Sequence, residues 1–108
     1  MSSISTHVLD TALGKPAAGI RVTLTRGHAE IGSGVTDTDG RVRDLNAGEI
    51  VDEGDYRLSF AVGEYFSQTS REAFYSEIVV SIRIRDSAAN HHVPLLLSPF
   101  GYSTYRGS

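Results

Sequence analysis

The chain has 108 residues, a formal net charge of −3 and no cysteine. This length predicts one domain over residues 1–108, which is large enough to form a hydrophobic core without disulfides or a structural metal ion. The lack of cysteine excludes disulfides and thiolate-bound zinc, and an acidic chain with scattered arginines argues against a nucleic-acid partner. No apolar run approaches the roughly 20 residues of a membrane helix, and no leader pattern is visible. We therefore expect a cytoplasmic protein without a membrane partner.

The first half of the chain shows the alternation of apolar and polar residues that is typical of β-strands. In Ser3–Leu9, Ile4 and Val8 are expected to face the core, which leaves His7 on the opposite face. Three further strands are predicted at residues 20–25, 30–36 and 41–45.

The segment Asp37–Gly40 is the strongest turn signal, because Asp-Gly supports the positive φ angles of a two-residue hairpin turn. We therefore predict a hairpin between the strands on either side of it. A calcium loop is the alternative, since Asp-x-Asp-Gly resembles part of one. Its register fails, because the sixth and twelfth residues from Asp37 are Val42 and Gly48, where an EF-hand has glycine and glutamate.

The second half predicts two core strands, at 55–62 and 78–85, and a single helical turn at Ser70–Phe74 with Ser70 as its N-cap. With a last strand at Gly101–Arg106, about eight short strands are expected. Short strands joined by turns indicate an all-β fold, an eight-stranded antiparallel sandwich of two sheets with one short helix.

The segment His91–Leu97 is a predicted strand with apolar residues on both faces. A strand at the surface of a monomeric sandwich should alternate apolar with polar residues, so this one needs two covers. One face can enter the core of the domain. The other requires a second cover, most simply another subunit.

His7 and His92 each lie on the non-core face of an otherwise apolar strand, whereas His91 points the other way and is interpreted as structural. A metal site needs three or four ligands, and no carboxylate is obviously placed beside this pair. No Gly-x-Ser-x-Gly elbow supports a serine nucleophile. Two histidines with a guanidinium nearby would suit water activation, because the cation keeps an imidazole neutral and basic near pH 7. From the residues alone, an active site and purely structural histidines remain open alternatives.

Four motifs resemble the transthyretin family, and more narrowly its 5-hydroxyisourate hydrolase branch. They are THVLD at Thr6–Asp10, DGR at Asp39–Arg41, the Gly54-x-Tyr56 start of a core strand, and HVPLLLSPFGYSTYRGS at His92–Ser108. The terminal Tyr-Arg-Gly-Ser is the most specific part, since the hormone-carrying members lack it. The resemblance extends over essentially the whole chain.

This resemblance implies a transthyretin-like (prealbumin-like) sandwich and a homotetramer, a dimer of dimers with active sites in the channel between dimers. It implies hydrolysis of 5-hydroxyisourate, a cyclic amide of urate catabolism, to 2-oxo-4-hydroxy-4-carboxy-5-ureidoimidazoline without a metal or organic cofactor. The catalytic set would be His7, Arg41 and His92. Tyr105 and Ser108 would complete substrate binding together with His7 and Arg41.

One departure from the family pattern is Asn90-His91, where the family has His-Tyr. We expect altered packing there and no loss of activity. Arg43 is a second arginine that could contact substrate, although the DGR match selects Arg41. The rival functions are a non-catalytic carrier of small aromatic ligands and an adhesive or scaffolding module.

Overall fold

The computed structural model describes residues 3–108, which form two β-sheets and one short helix. In chain order the elements are β1 (Ile4–Asp10), β2 (Lys15–Pro16), β3 (Arg21–Arg26), β4 (Ala29–Val35), β5 (Arg41–Val42), β6 (Gly54–Phe60), α1 (Val62–Gln68), β7 (Ile78–Ile84), β8 (His91–Ser98) and β9 (Gly101–Thr104). The first sheet has the order β2-β1-β8-β9, with β5 also paired to β1, and the second has the order β4-β3-β6-β7. Within residues 3–108 no helix is long and apolar enough to cross a bilayer.

The predicted all-β sandwich with two sheets and one short helix is confirmed, with two differences in detail. The described residues form nine strands rather than eight, because Lys15–Pro16 pairs with the end of β1. In addition, β1 and β8 run parallel, where an antiparallel sandwich was expected. The second sheet lies between them in the sequence, so the chain returns to β1 by a long crossover, and parallel pairing requires such a connection.

The core lies between the two sheets, and alternate residues of β1, β3, β6 and β8 are buried in it. On β1, Ile4 and Val8 are fully buried and His7 lies on the other face, as the alternation predicted. The largest fully buried side chains are Phe60 of β6 and Phe66 of α1. The inner face of β8 carries Val93, Leu95 and Leu97, all buried.

The turn at Asp37–Gly40 forms, but the predicted hairpin is wrong. Gly40 has a φ of +77°, and its N–H donates to the carbonyl of Asp37 at 2.9 Å. The carboxylate of Asp37 also accepts the N–H groups of Asp39 and Arg41, so the turn is stabilised locally and needs no strand ladder. The flanking strands join different sheets, with β4 paired to β3 and β5 paired to β1.

The predicted helical turn at Ser70–Phe74 is also wrong, because the helix occupies Val62–Gln68. Ser70 follows this helix with a φ of +57° and therefore belongs to its end rather than its start. Val62, Tyr65 and Phe66 form the buried face of α1, at the i, i+3 and i+4 spacing of one helix face. Burial of this apolar face stabilises the helix. At seven residues, the helix is too short for its sequence to show a clear helical period.

Candidate active site

The register of β1 with its neighbours brings three of the predicted site residues to one place. His7 lies opposite Arg41 of β5, and Ser5 lies opposite His92 of β8. Directly opposed residues on neighbouring strands point to the same face of a sheet. The side chains of His7, Arg41 and His92 therefore share the outer face of the first sheet, away from the core.

His92 is held in place through one ring nitrogen. Its Nδ1 lies 2.9 Å from the Oγ of Ser5, and both side chains are half-buried. A small cavity of about 170 Å³ opens beside this contact and includes Arg41 and Arg43 in its lining.

The electrostatics of the site favour a neutral His92. Burial, the cation of Arg41 and the neighbouring His7 together lower the pKa of His92 below its usual value of 6.5. Each effect penalises the imidazolium form. At pH 7 His92 is therefore an uncharged imidazole that can accept a proton.

The end of the chain lies against the same strand. The N–H of Gly107 donates to the carbonyl of His92 at 2.8 Å. A Cβ atom at Gly107 would lie 2.6 Å from Cδ2 of the His92 ring, so this close approach requires glycine. Tyr105 and Ser108, predicted to bind substrate, lie on either side of this contact and are exposed in the single chain, with 58% of Tyr105 accessible.

His91 lies on the opposite face from His92 and is only 8% exposed. It lines a second cavity of about 300 Å³ together with Val80, Ile82 and Val93, and His92 also reaches this cavity. Tyr105 and Arg106 lie at the same cavity. His91 therefore faces the core side of β8, as predicted, and its structural interpretation stays a prediction.

Two residues of the site were missed by sequence reasoning as functional candidates. Ser5 shares a face with His7 at a two-residue spacing, and that spacing was the only signal in the sequence for it. Gly107 is part of the terminal motif, but its close contact with the ring of His92 depends on the tertiary fold. No group of three histidine, aspartate or glutamate side chains within residues 3–108 could hold a metal ion.

Comparisons with known proteins identify the family of the chain. The model of the HIUase/Transthyretin family matches residues 4–107. The 5-hydroxyisourate hydrolase of Caulobacter vibrioides is 45% identical over an alignment of 116 residues that covers all of both chains.

Two solved structures superpose closely. That of Klebsiella pneumoniae 5-hydroxyisourate hydrolase has a TM-score of 0.92 at 35% identity and covers all of both chains. Sea bream transthyretin in complex with thyroxine has a TM-score of 0.90 at 25% identity, covering 96% of this chain and 93% of the other. On the family match and these identities, the chain belongs to the HIUase/transthyretin family.

Proposed function

We propose that residues 1–108 form one 5-hydroxyisourate hydrolase domain, which opens the cyclic amide of its substrate in urate degradation. The product would be 2-oxo-4-hydroxy-4-carboxy-5-ureidoimidazoline. The relatives named as 5-hydroxyisourate hydrolases support this activity. The observation that carries it is the strand register that brings His7, Arg41 and His92 to one open face.

The first step is the activation of water. Neutral His92 accepts a proton from a water molecule as the water oxygen forms a bond to the amide carbonyl carbon. His7, on the adjacent strand, holds this water from a second side. General-base catalysis of this kind contributes about 10²–10⁴-fold in rate.

The second step is the collapse of the tetrahedral intermediate. Arg41 stabilises this intermediate, because it donates hydrogen bonds to the oxygen on which negative charge developed during the attack, and such a preorganised donor is worth about 10²–10³-fold. The carbon–nitrogen bond then breaks, and the proton held by His92 passes to the leaving nitrogen. The ring opens to a carboxylic acid, which releases its proton to water and becomes a carboxylate, and to an uncharged nitrogen group.

We assign the terminal segment to substrate binding. The hydroxyl of Tyr105 and the terminal Ser108 would donate hydrogen bonds to the polar edge of the substrate. The contact of Gly107 with His92 supports this assignment, because it anchors the segment at the catalytic strand.

A homotetramer, built as a dimer of dimers, would complete the pocket. The outer face of the first sheet carries Leu9 and Leu96 beside the polar site, and Phe100 in the β8–β9 turn is 64% exposed. A second subunit would cover this apolar surface and enclose the substrate. Size-exclusion chromatography with light scattering should give about four times the 11.7 kDa of one chain. The cytoplasmic location stays a prediction, to be tested by cell fractionation.

The activity is tested by adding the protein to freshly oxidised urate and following the decay of the intermediate in the ultraviolet. We expect decay well above the spontaneous rate for the wild type and near the spontaneous rate for His92→Ala. His28→Ala is the matched control, because His28 is exposed in the turn after β3, and it should retain full activity. A fully active His92→Ala protein would refute the mechanism.

The alternative is a non-catalytic carrier of small aromatic ligands, suggested by the likeness to transthyretin. A carrier would bind aromatic ligands and leave the decay of 5-hydroxyisourate at its spontaneous rate. It would have no need of two imidazoles and a guanidinium on one face. The same decay assay therefore separates the two functions.

A further inference from the structure

The contact between Ser5 and His92 has a consequence for which histidine acts as the base. The Oγ of Ser5 and the Nδ1 of His92 are 2.9 Å apart, a hydrogen-bond distance, and the two residues are directly paired between β1 and β8. A neutral imidazole carries one proton, and the partner of one nitrogen decides which nitrogen holds it. The partner of Nδ1 therefore determines whether Nε2 can accept a proton.

At this site, the hydroxyl of Ser5 is the partner of Nδ1. The cavity beside the contact is lined by Arg41 and Arg43 and has no carboxylate in its lining. A serine hydroxyl can accept a hydrogen bond, and unlike a carboxylate it brings no negative charge that would raise the pKa of the ring. Ser5 can thus orient the imidazole of His92 and still leave it neutral near pH 7.

We propose that Ser5 is a positioning residue that accepts a hydrogen bond from the Nδ1–H group of His92 and so leaves Nε2 bare as the base. The catalytic consequence rests on the proposed hydrolase function, whereas the tautomer of His92 does not. His92 would then be the histidine that takes the proton from water. His7 would position that water.

The first test reads the tautomer directly by 15N NMR of the wild-type protein, labelled on histidine, at pH 7.5. The spectrum of His92→Gln identifies the His92 signals by their loss. We expect the chemical shifts of a protonated Nδ1 and an unprotonated Nε2. A proton found on Nε2 would overturn the proposal, whether or not the protein hydrolyses 5-hydroxyisourate.

The second test measures kcat and KM for Ser5→Ala and Ser5→Thr. Loss of one orienting hydrogen bond should lower kcat about 2- to 12-fold and leave KM unchanged. Ser5→Thr keeps the hydroxyl and should restore kcat. An unchanged kcat in Ser5→Ala, or a change confined to KM, would contradict a positioning role.

A matched control is Thr11→Ala, which also removes a hydroxyl that bonds to β8. The Oγ1 of Thr11 donates to the carbonyl of Leu97 at 3.1 Å, at the other end of the paired strands from His92. This variant should keep the wild-type kcat. A wild-type protein without any hydrolysis would refute the proposed function instead, and the NMR measurement would still decide the role of Ser5.

Discussion

Replacement of Asp10 by alanine should strongly destabilise the protein, because this carboxylate is fully buried at the end of β1. Its Oδ2 accepts hydrogen bonds from the hydroxyl of Tyr65 at 2.7 Å and from the guanidinium of Arg71 at 2.5 Å. Its Oδ1 accepts the N–H of Leu13 at 3.1 Å. The cluster ties the strand that carries His7 to α1 and to the loop after it.

The expected magnitude follows from what the substitution leaves behind. In Asp10→Ala, the hydroxyl of Tyr65 and the guanidinium of Arg71, only 21% exposed, lose their common acceptor. Breaking a buried pair in this way costs about 3–5 kcal/mol, a large share of a total stability of about 5–15 kcal/mol. Tyr65→Phe removes a single hydrogen bond to a charged acceptor and should cost about 1.5–3 kcal/mol.

Urea unfolding at one fixed protein concentration measures these changes, since assembly makes the stability depend on concentration. Asp55→Ala is the control, because its salt bridge with Arg83 is largely exposed and should contribute little. A loss below about 1 kcal/mol in Asp10→Ala would refute the reasoning, because the buried partners would then have found other acceptors.

The same cluster predicts how stability depends on pH. Burial alone would raise the pKa of Asp10, but the hydrogen bonds from Arg71 and Tyr65 outweigh it and hold the pKa below 3.8. A lowered pKa in the folded state adds stability above pH 3.8, and this contribution is lost as the pH falls through the folded value. The wild type should therefore lose more stability than Asp10→Ala between pH 5 and pH 2, as measured by urea titrations across that range.

Three further predictions concern the site. Burial is the largest cause of the lowered pKa of His92, and the charge of Arg41 is the second. Arg41→Gln removes the second cause, so the pKa of His92 should rise and the acid limb of the kcat/KM profile should move to higher pH. An acid limb at the wild-type pH would contradict the electrostatic role of Arg41. Gly107→Val places a side chain against the ring of His92 and should reduce kcat about tenfold or more in the decay assay. Its control, Gly101→Ala, meets no atom closer than 3.8 Å and should be fully active. A tag fused after Ser108 should reduce activity more than one at the amino terminus, and equal activities would argue against the terminal assignment.

The faces of the strands could be predicted from the sequence because they depend on local alternation. The pattern of β1 placed His7 away from the core, and that of β8 separated His91 from His92. Which strand lies beside which does not depend on local pattern. The pairing of His7 with Arg41 joins segments 34 residues apart, and only the family resemblance suggested that they meet.

The errors at the turn and the helix have a common physical cause. The Asp-Gly sequence at Asp37–Gly40 predicts that the chain turns there. It does not determine which sheet the following strand, β5, will join. The seven residues of α1 are helical because Val62, Tyr65 and Phe66 are buried together. In both cases tertiary packing decided between conformations that the local sequence allowed.

The arrangement of the site depends on a strand register that the apolar pattern specifies only weakly. A slip of β8 by one residue would turn every side chain to the other face, but β8 is apolar on both faces and would find little to oppose the change. His91 would even replace His92 on the outer face. The buried hydroxyl of Thr6 opposes this slip, because it donates to the carbonyl of Val93 at 2.6 Å, and the Ser5–His92 contact opposes it from the other face. Polar contacts therefore fix which of the two adjacent imidazoles enters the site.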